Sequence, residues 1–165
     1  MFRQMKVSGL VMDPQTNTPI LILKDMSSET SLPIWIGILE ATSIATELEK
    51  IQLPRPMTHD LMKNCFDFLD VHVERVEVCD LKENTYHALI YLRANDRVRP
   101  IDARPSDAVA LALRADAPIF VKEEVLVKSR DLSEPSQTVF SKEDKDKLSD
   151  LLENLDPEDF GKYKV

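Results

Sequence analysis

Residues 101–121 read IDARPSDAVALALRADAPIFV, a polar start followed by a long apolar run and a second short apolar block. Pro105 suits the first position of a helix, where its missing N–H is not needed and its fixed φ is already helical. The run AVALALRA that follows is apolar almost all round, as in a helix buried on most of its faces. Upstream, RVRPIDA reads as a strand leaving a turn at Asn95-Asp96. Downstream, APIFV reads as a short buried strand and KEEVLVK as a brief helical or turn segment.

Working towards the N-terminus, residues 71–79 and 85–92 form a β-hairpin pattern around the polar turn LKEN. The apolar parity switches between Val71/Val73 and Val76/Val78, which predicts a bulge near Glu74 and Arg75. Before it, Leu61, Met62, Cys65, Phe66 and Leu69 recur at helical spacing behind Thr58, which stands where an N-cap belongs. Cys65 lies on that stripe and reads as a packed core thiol. Ile38, Ala41, Ile44, Ala45 and Leu48 mark an earlier helix that follows the apolar stretch SLPIWIGIL, and Pro54 and Pro56 place a loop between the two. Residues 5–12 and 19–24 are strand-like and joined by DPQTNT. At the other end, Ser129 to Thr138 reads as a polar linker. Ser141 and Asp144 are candidate caps for an acidic amphipathic helix with Leu148, Leu151, Leu152 and Leu155.

The chain has 165 residues, enough for one domain with a core that needs no disulfides. No run approaches the roughly 18 apolar residues of a membrane span, and MFRQMKVSGLVMD lacks the apolar core of a secretion signal. Cys65 and Cys79 show neither metal spacing nor the density of a secreted scaffold, so a cytoplasmic location is expected. The net charge of −8 argues against bulk electrostatic coating of nucleic acid. Its distribution weakens that objection, because residues 131–165 hold ten acids and five lysines. The body keeps Arg93, Arg97, Arg99 and Arg104 within twelve residues, either a solvated strand face or an anion-binding strip. Three glycines in all, none in a phosphate-binding motif, exclude Rossmann and P-loop nucleotide binding.

Three segments set polar groups beside helix starts: Glu40 in PIWIGILEA; Arg55, Thr58, His59 and Asp60 in RPMTHDL; and Asp102, Arg104, Ser106 and Asp107 in IDARPSDA. Acids in a first turn have an ordinary structural use, each contributing about 0.3–1 kcal/mol through the helix dipole. Arg55 and Arg104 are less ordinary, since a cation at a helix N-terminus is disfavoured. Each is either held by a carboxylate such as Asp60 or Asp107, or free for a phosphate at the helix start. Glu40, Asp60, Asp102 and Asp107 are candidate oxygen ligands for Mg²⁺ or Mn²⁺. His59 is the histidine with a carboxylate in its own turn, whereas His72 and His87 fall in strands.

PIWIGILEA, RPMTHDL and IDARPSDAVALALRADAPIFV, in that order, resemble the signature blocks of the bifunctional nuclease domain family across roughly residues 5–128. The resemblance implies an α+β fold, a mixed, largely antiparallel sheet with packed helices, for residues 1–128, with residues 129–165 as linker and C-terminal helical tail. It also implies a homo-oligomer and a nuclease acting on DNA and RNA, as described for plant members. On that reading Glu40, His59, Asp60, Asp102, Arg104 and Asp107 are the catalytic candidates. Arg55, Thr58, Arg93, Arg97, Arg99 and Ser106 are the substrate-binding candidates, with Mg²⁺ or Mn²⁺ held by the four carboxylates. Two other readings stay open: a non-catalytic binding or assembly module whose Asp/Arg pairs are structural, and a phosphate or nucleotide sensor.

Overall fold

β1 (Phe2–Met12) pairs antiparallel with β2 (Pro19–Asp25), and their register slips between Val7 and Gly9. Gly9 carries φ +153°, a conformation that residues with a Cβ rarely adopt, so the bulge falls on the residue that tolerates it. The computed structural model describes residues 1–132. In chain order the remaining elements are β3 (Ser31–Trp35), α1 (Ile38–Leu48), α2 (Thr58–Phe68), β4 (His72–Lys82), β5 (Thr85–Ala94), β6 (Arg97–Ala103), α3 (Pro105–Ala115), β7 (Ile119–Lys122) and α4 (Glu123–Leu132). The strands make one seven-stranded sheet in the order β3-β2-β1-β7-β4-β5-β6, in which β4 and β7 are parallel and the other neighbours antiparallel. The architecture is therefore α+β, as expected.

The two hairpins that end in β6 turn on Glu83-Asn84 and Asn95-Asp96, all four residues with positive φ. Such turns match the right-handed twist of paired strands. The bulge expected near Glu74 and Arg75 is present, as a register shift between Val73 and Arg75. A second shift, between Val78 and Asp80, had no signature in the apolar parity.

α3 supplies the centre of the core. Val109 and Leu111 are fully buried with Val76 and Val78 of β4, and burial of each such side chain is worth about 1.5–3 kcal/mol. α1 packs on α3 and buries Ala41, Ile44 and Ala45. α2 departs from expectation: none of its residues is fully buried, and Cys65 is exposed, not packed in the core. The helix meets α3 through the polar His59 and Asp60, so only Phe66 of its apolar stripe reaches the core cluster. Leu61, Met62, Phe68 and Leu69 are left exposed.

α4 also corrects the sequence reading. Its helix runs through Ser129 to Leu132, where a linker was expected to begin, and buried Ser129 donates its hydroxyl to the Leu126 carbonyl at 3.0 Å. The expected C-terminal amphipathic helix lies outside the described residues. Among the described residues no helix is long and apolar enough to cross a membrane.

Candidate functional site

Three helices converge through polar side chains: Glu40 and Ser43 from α1, His59 and Asp60 from α2, and Arg104, Asp107 and Arg114 from α3 and its N-cap. Arg104 occupies the N-cap itself, in the extended conformation that the residue before a proline favours. Its Nη1 donates to Glu40 Oε1 at 2.8 Å, its Nε to Asp107 Oδ2 at 2.7 Å and its Nη2 to Asp107 Oδ1 at 3.2 Å. The two-point contact with Asp107 is the planar fork-to-carboxylate arrangement that only arginine makes.

Asp107 Oδ1 lies 3.0 Å from His59 Nε2, and His59 Nδ1 lies 2.8 Å from Ser43 Oγ. An ionised carboxylate can only accept. A neutral imidazole here therefore carries its proton on Nε2 and offers the Nδ1 lone pair to the Ser43 hydroxyl. A second chain runs beside the first. Asp60 Oδ2 accepts the Met57 N–H at 2.8 Å and Oδ1 accepts Arg114 Nε at 2.6 Å. Arg114 also donates to the carbonyls of Ala110 at 3.0 Å and Ser43 at 3.1 Å.

Burial pushes the Asp107 carboxyl up, but the hydrogen bonds from Arg104 and His59 outweigh it and hold the group below the usual aspartate value. Asp60 follows the same pattern: burial raises it, and the bonds from Arg114 and the Met57 N–H bring it below normal. Arg104, hydrogen-bonded first by Asp107 and also by Glu40, is held more firmly as a cation.

The other sequence candidates are placed as follows. Thr58 is the first residue inside α2; Met57 is the N-cap, and Asp60 rather than a threonine hydroxyl satisfies its N–H. Ser106 is buried in the first turn of α3. Arg55 does not pair with Asp60, which Arg114 has taken; it lines an open groove of about 330 Å³ with Gln52, Leu53, Asp60 and Arg114. Asp102 stands opposite Leu89 on the sheet, on the other face from the pair Ile90–Ile101, and does not join the junction. Arg93 shares that face with Asp102 and is bound by Glu74. Arg97 and Arg99 project from the opposite face, so the run of arginines is not one strip. Arg55, Arg97 and Arg99 have no ion-pair partner among the described residues.

The four carboxylates do not gather round an ion site. Glu40 and Asp107 are engaged by Arg104, Asp60 by Arg114, and Asp102 lies elsewhere. Among the described residues no group of three or more His, Cys, Asp or Glu side chains is arranged to hold a metal ion. Two junction residues escaped the sequence reading. Arg114 is legible as the one charge in the apolar run AVALALRA that follows Asp107, and Ser43 as the residue three places after Glu40 on one helix face.

Residues 21–133, which contain every junction residue, match the bifunctional nuclease domain family. The chain belongs to this family. Over 163 residues it is 37% identical to an uncharacterized protein of Mycobacterium tuberculosis, covering 95% of this chain and 97% of that one. It is 31% identical over 111 residues to bifunctional nuclease 1 of Arabidopsis thaliana and 23% identical over 116 residues to bifunctional nuclease 1 of Oryza sativa. These stretches span 64% and 68% of this chain but 34% and 35% of the plant proteins. What this bifunctional nuclease domain shares with its plant relatives is thus a part of their length.

Proposed function

We propose that the domain binds nucleic acid and hydrolyses its phosphodiester bonds at the three-helix junction. One observation carries the reading: an imidazole held by a carboxylate on one nitrogen and open to a hydroxyl on the other, next to a half-exposed guanidinium. The names of the plant relatives supply the reaction class. In this mechanism His59 moves the proton that phosphodiester hydrolysis requires, with Asp107 fixing its tautomer and orientation. Arg104 faces the charge that builds on the phosphoryl oxygens. It is 65% exposed, and its three bonds to Glu40 and Asp107 leave two of its five N–H groups for a ligand. Arg55 in the groove and Arg97 and Arg99 near the end of the sheet are cations without partners among the described residues, suited to hold flanking phosphates. Mg²⁺ or Mn²⁺ takes no step here, because the carboxylates as placed do not fit a resident ion.

The test is cleavage of single- and double-stranded DNA and RNA by the full chain, with Mg²⁺, with Mn²⁺ and with EDTA. His59→Ala should lower the rate about 100-fold or more, in line with the usual worth of a general acid or base. Absence of cleavage by the wild type in every condition, or an unaltered rate in the variant, refutes the proposal. Saturation of each junction carboxylate by an arginine favours a second reading, a non-catalytic assembly or phosphate-binding module. Calorimetric titration of nucleotides against a protein without nuclease activity identifies it.

A further inference from the structure

α1 carries three hydroxyl side chains in its middle, and one of them behaves differently. Thr42 Oγ1 donates back to the Ile38 carbonyl at 2.8 Å and Thr46 Oγ1 to the Thr42 carbonyl at 3.0 Å, the usual fate of such groups inside a helix. Ser43 instead turns its Oγ across to His59 Nδ1 at 2.8 Å, while the far nitrogen of the ring meets Asp107 at 3.0 Å. Hydroxyl, imidazole and carboxylate thus come from three separate helices in the order that defines an activated serine. Glu40 lies one turn before Ser43 on the same helix face and holds Arg104, which also binds the Asp107 carboxylate of this set.

We propose that Ser43 is a covalent nucleophile towards tetrahedral phosphorus. This rests on the function proposed above only for the natural electrophile, a nucleic-acid phosphodiester. Ser43 Oγ bonds to phosphorus as its proton passes to His59 Nδ1. The P–O bond to the departing nucleoside breaks, and that oxygen takes the proton from His59, leaving a phosphodiester on serine. Water then attacks the phosphorus and gives its proton to Nδ1; the P–Oγ bond breaks and Oγ recovers the proton. Ser43 and His59 end as they began, with one water consumed. Arg104, with two N–H groups unused by protein, is the cation this scheme assigns to the oxygens that gain charge in both halves.

The experiment treats the full chain with a fluorophosphonate probe, follows intact mass and maps the adduct by peptide sequencing, with nuclease rate measured in parallel. One phosphonyl group on Ser43 is expected in the wild type, labelled at least tenfold more slowly in His59→Gln and not at all in Ser43→Ala. Melting curves of both variants show that each is folded, and the wild-type adduct is informative without them. Labelling at Ser43 without nuclease activity supports the nucleophile and refutes the nucleic-acid substrate. Nuclease activity that survives in folded Ser43→Ala, or a wild type that takes no label at Ser43, overturns the inference and leaves the nuclease reading standing.

Discussion

Arg114→Ala separates the structural half of the junction from its reactive half. The Arg114 side chain is 6% exposed and joins Asp60 of α2, the Ser43 carbonyl of α1 and the Ala110 carbonyl of its own helix. Removing one member of a fully buried pair costs about 3–5 kcal/mol, because the other charge is stranded. Asp60 is 32% exposed, so water reaches it when the guanidinium goes, and the expected loss falls to about 2–3 kcal/mol, the scale of charged hydrogen bonds. For a chain of this size that is a drop in Tm of about 5–10 °C, read by circular dichroism. The pH dependence gives a second reading. Burial raises Asp60, but its hydrogen bonds from Arg114 and the Met57 N–H hold it below the ordinary value. Its folded-state proton affinity is therefore lower than in the unfolded chain. The stabilisation is complete above the unfolded value of about 3.9 and is lost as pH falls through the lower folded value. The difference in Tm between wild type and variant should be largest near neutrality and shrink below about pH 4. A variant that melts within 2 °C of wild type at pH 7, or a gap that widens in acid, refutes this account.

Asp107→Asn should reduce any nuclease rate at least tenfold because it releases His59, whereas Asp102→Asn, on the opposite face of the sheet, should leave it within about twofold. Arg97→Ala and Arg99→Ala should each lower the slope of log affinity for DNA against log salt by about 1, read by fluorescence anisotropy, with little effect on the rate at saturation. α2 leaves Phe68 89% exposed beside Leu61, Met62 and Leu69, the face on which self-association of the kind the family resemblance implies is to be tested. A second copy of the chain is the expected occupant. Phe68→Ser with Leu69→Ser should shift the mass measured by light scattering to that of the monomer, and a wild type already monomeric at the same concentration removes the premise.

The fold was legible wherever local chemistry decides it. Positive-φ turns announce themselves as Glu-Asn and Asn-Asp between apolar runs, and the parity switch around Glu74 betrays a bulge that the register confirms. α2 was misread for a reason of the same kind. Helical periodicity reports that a face is apolar, and says nothing of whether this chain or another body covers it. The site was half legible. Sequence placed Glu40, His59, Arg104 and Asp107 as candidates, but not that Arg104 would draw Glu40 and Asp107 together. That Asp60 would turn from Arg55 to Arg114 depends on how α2 lies across α3, which no spacing records. The arginine cluster failed through strand geometry: the Asn95-Asp96 turn pairs Arg97 with Ala94 and Val98 with Arg93, so Arg93 falls on one face of the sheet and Arg97 and Arg99 on the other.

The two arginines of α3 show why structural and catalytic readings of one network need not compete. Arg114 is enclosed and spends its donors on protein oxygens, so it serves as a strut. Arg104 pairs with two carboxylates against the single one of Arg114, but it is mostly in solvent, where such pairs are worth about 0–1 kcal/mol each. Its stabilising role is therefore small, and a cation kept outward against two carboxylates is better explained by what approaches from outside. Arg104→Ala should lower Tm by less than Arg114→Ala does, yet weaken binding of an oligonucleotide more than any other single change at the junction. The opposite ranking, with Arg104 governing melting and Arg114 governing binding, would show that the network is a clamp between helices and that the chemistry lies elsewhere.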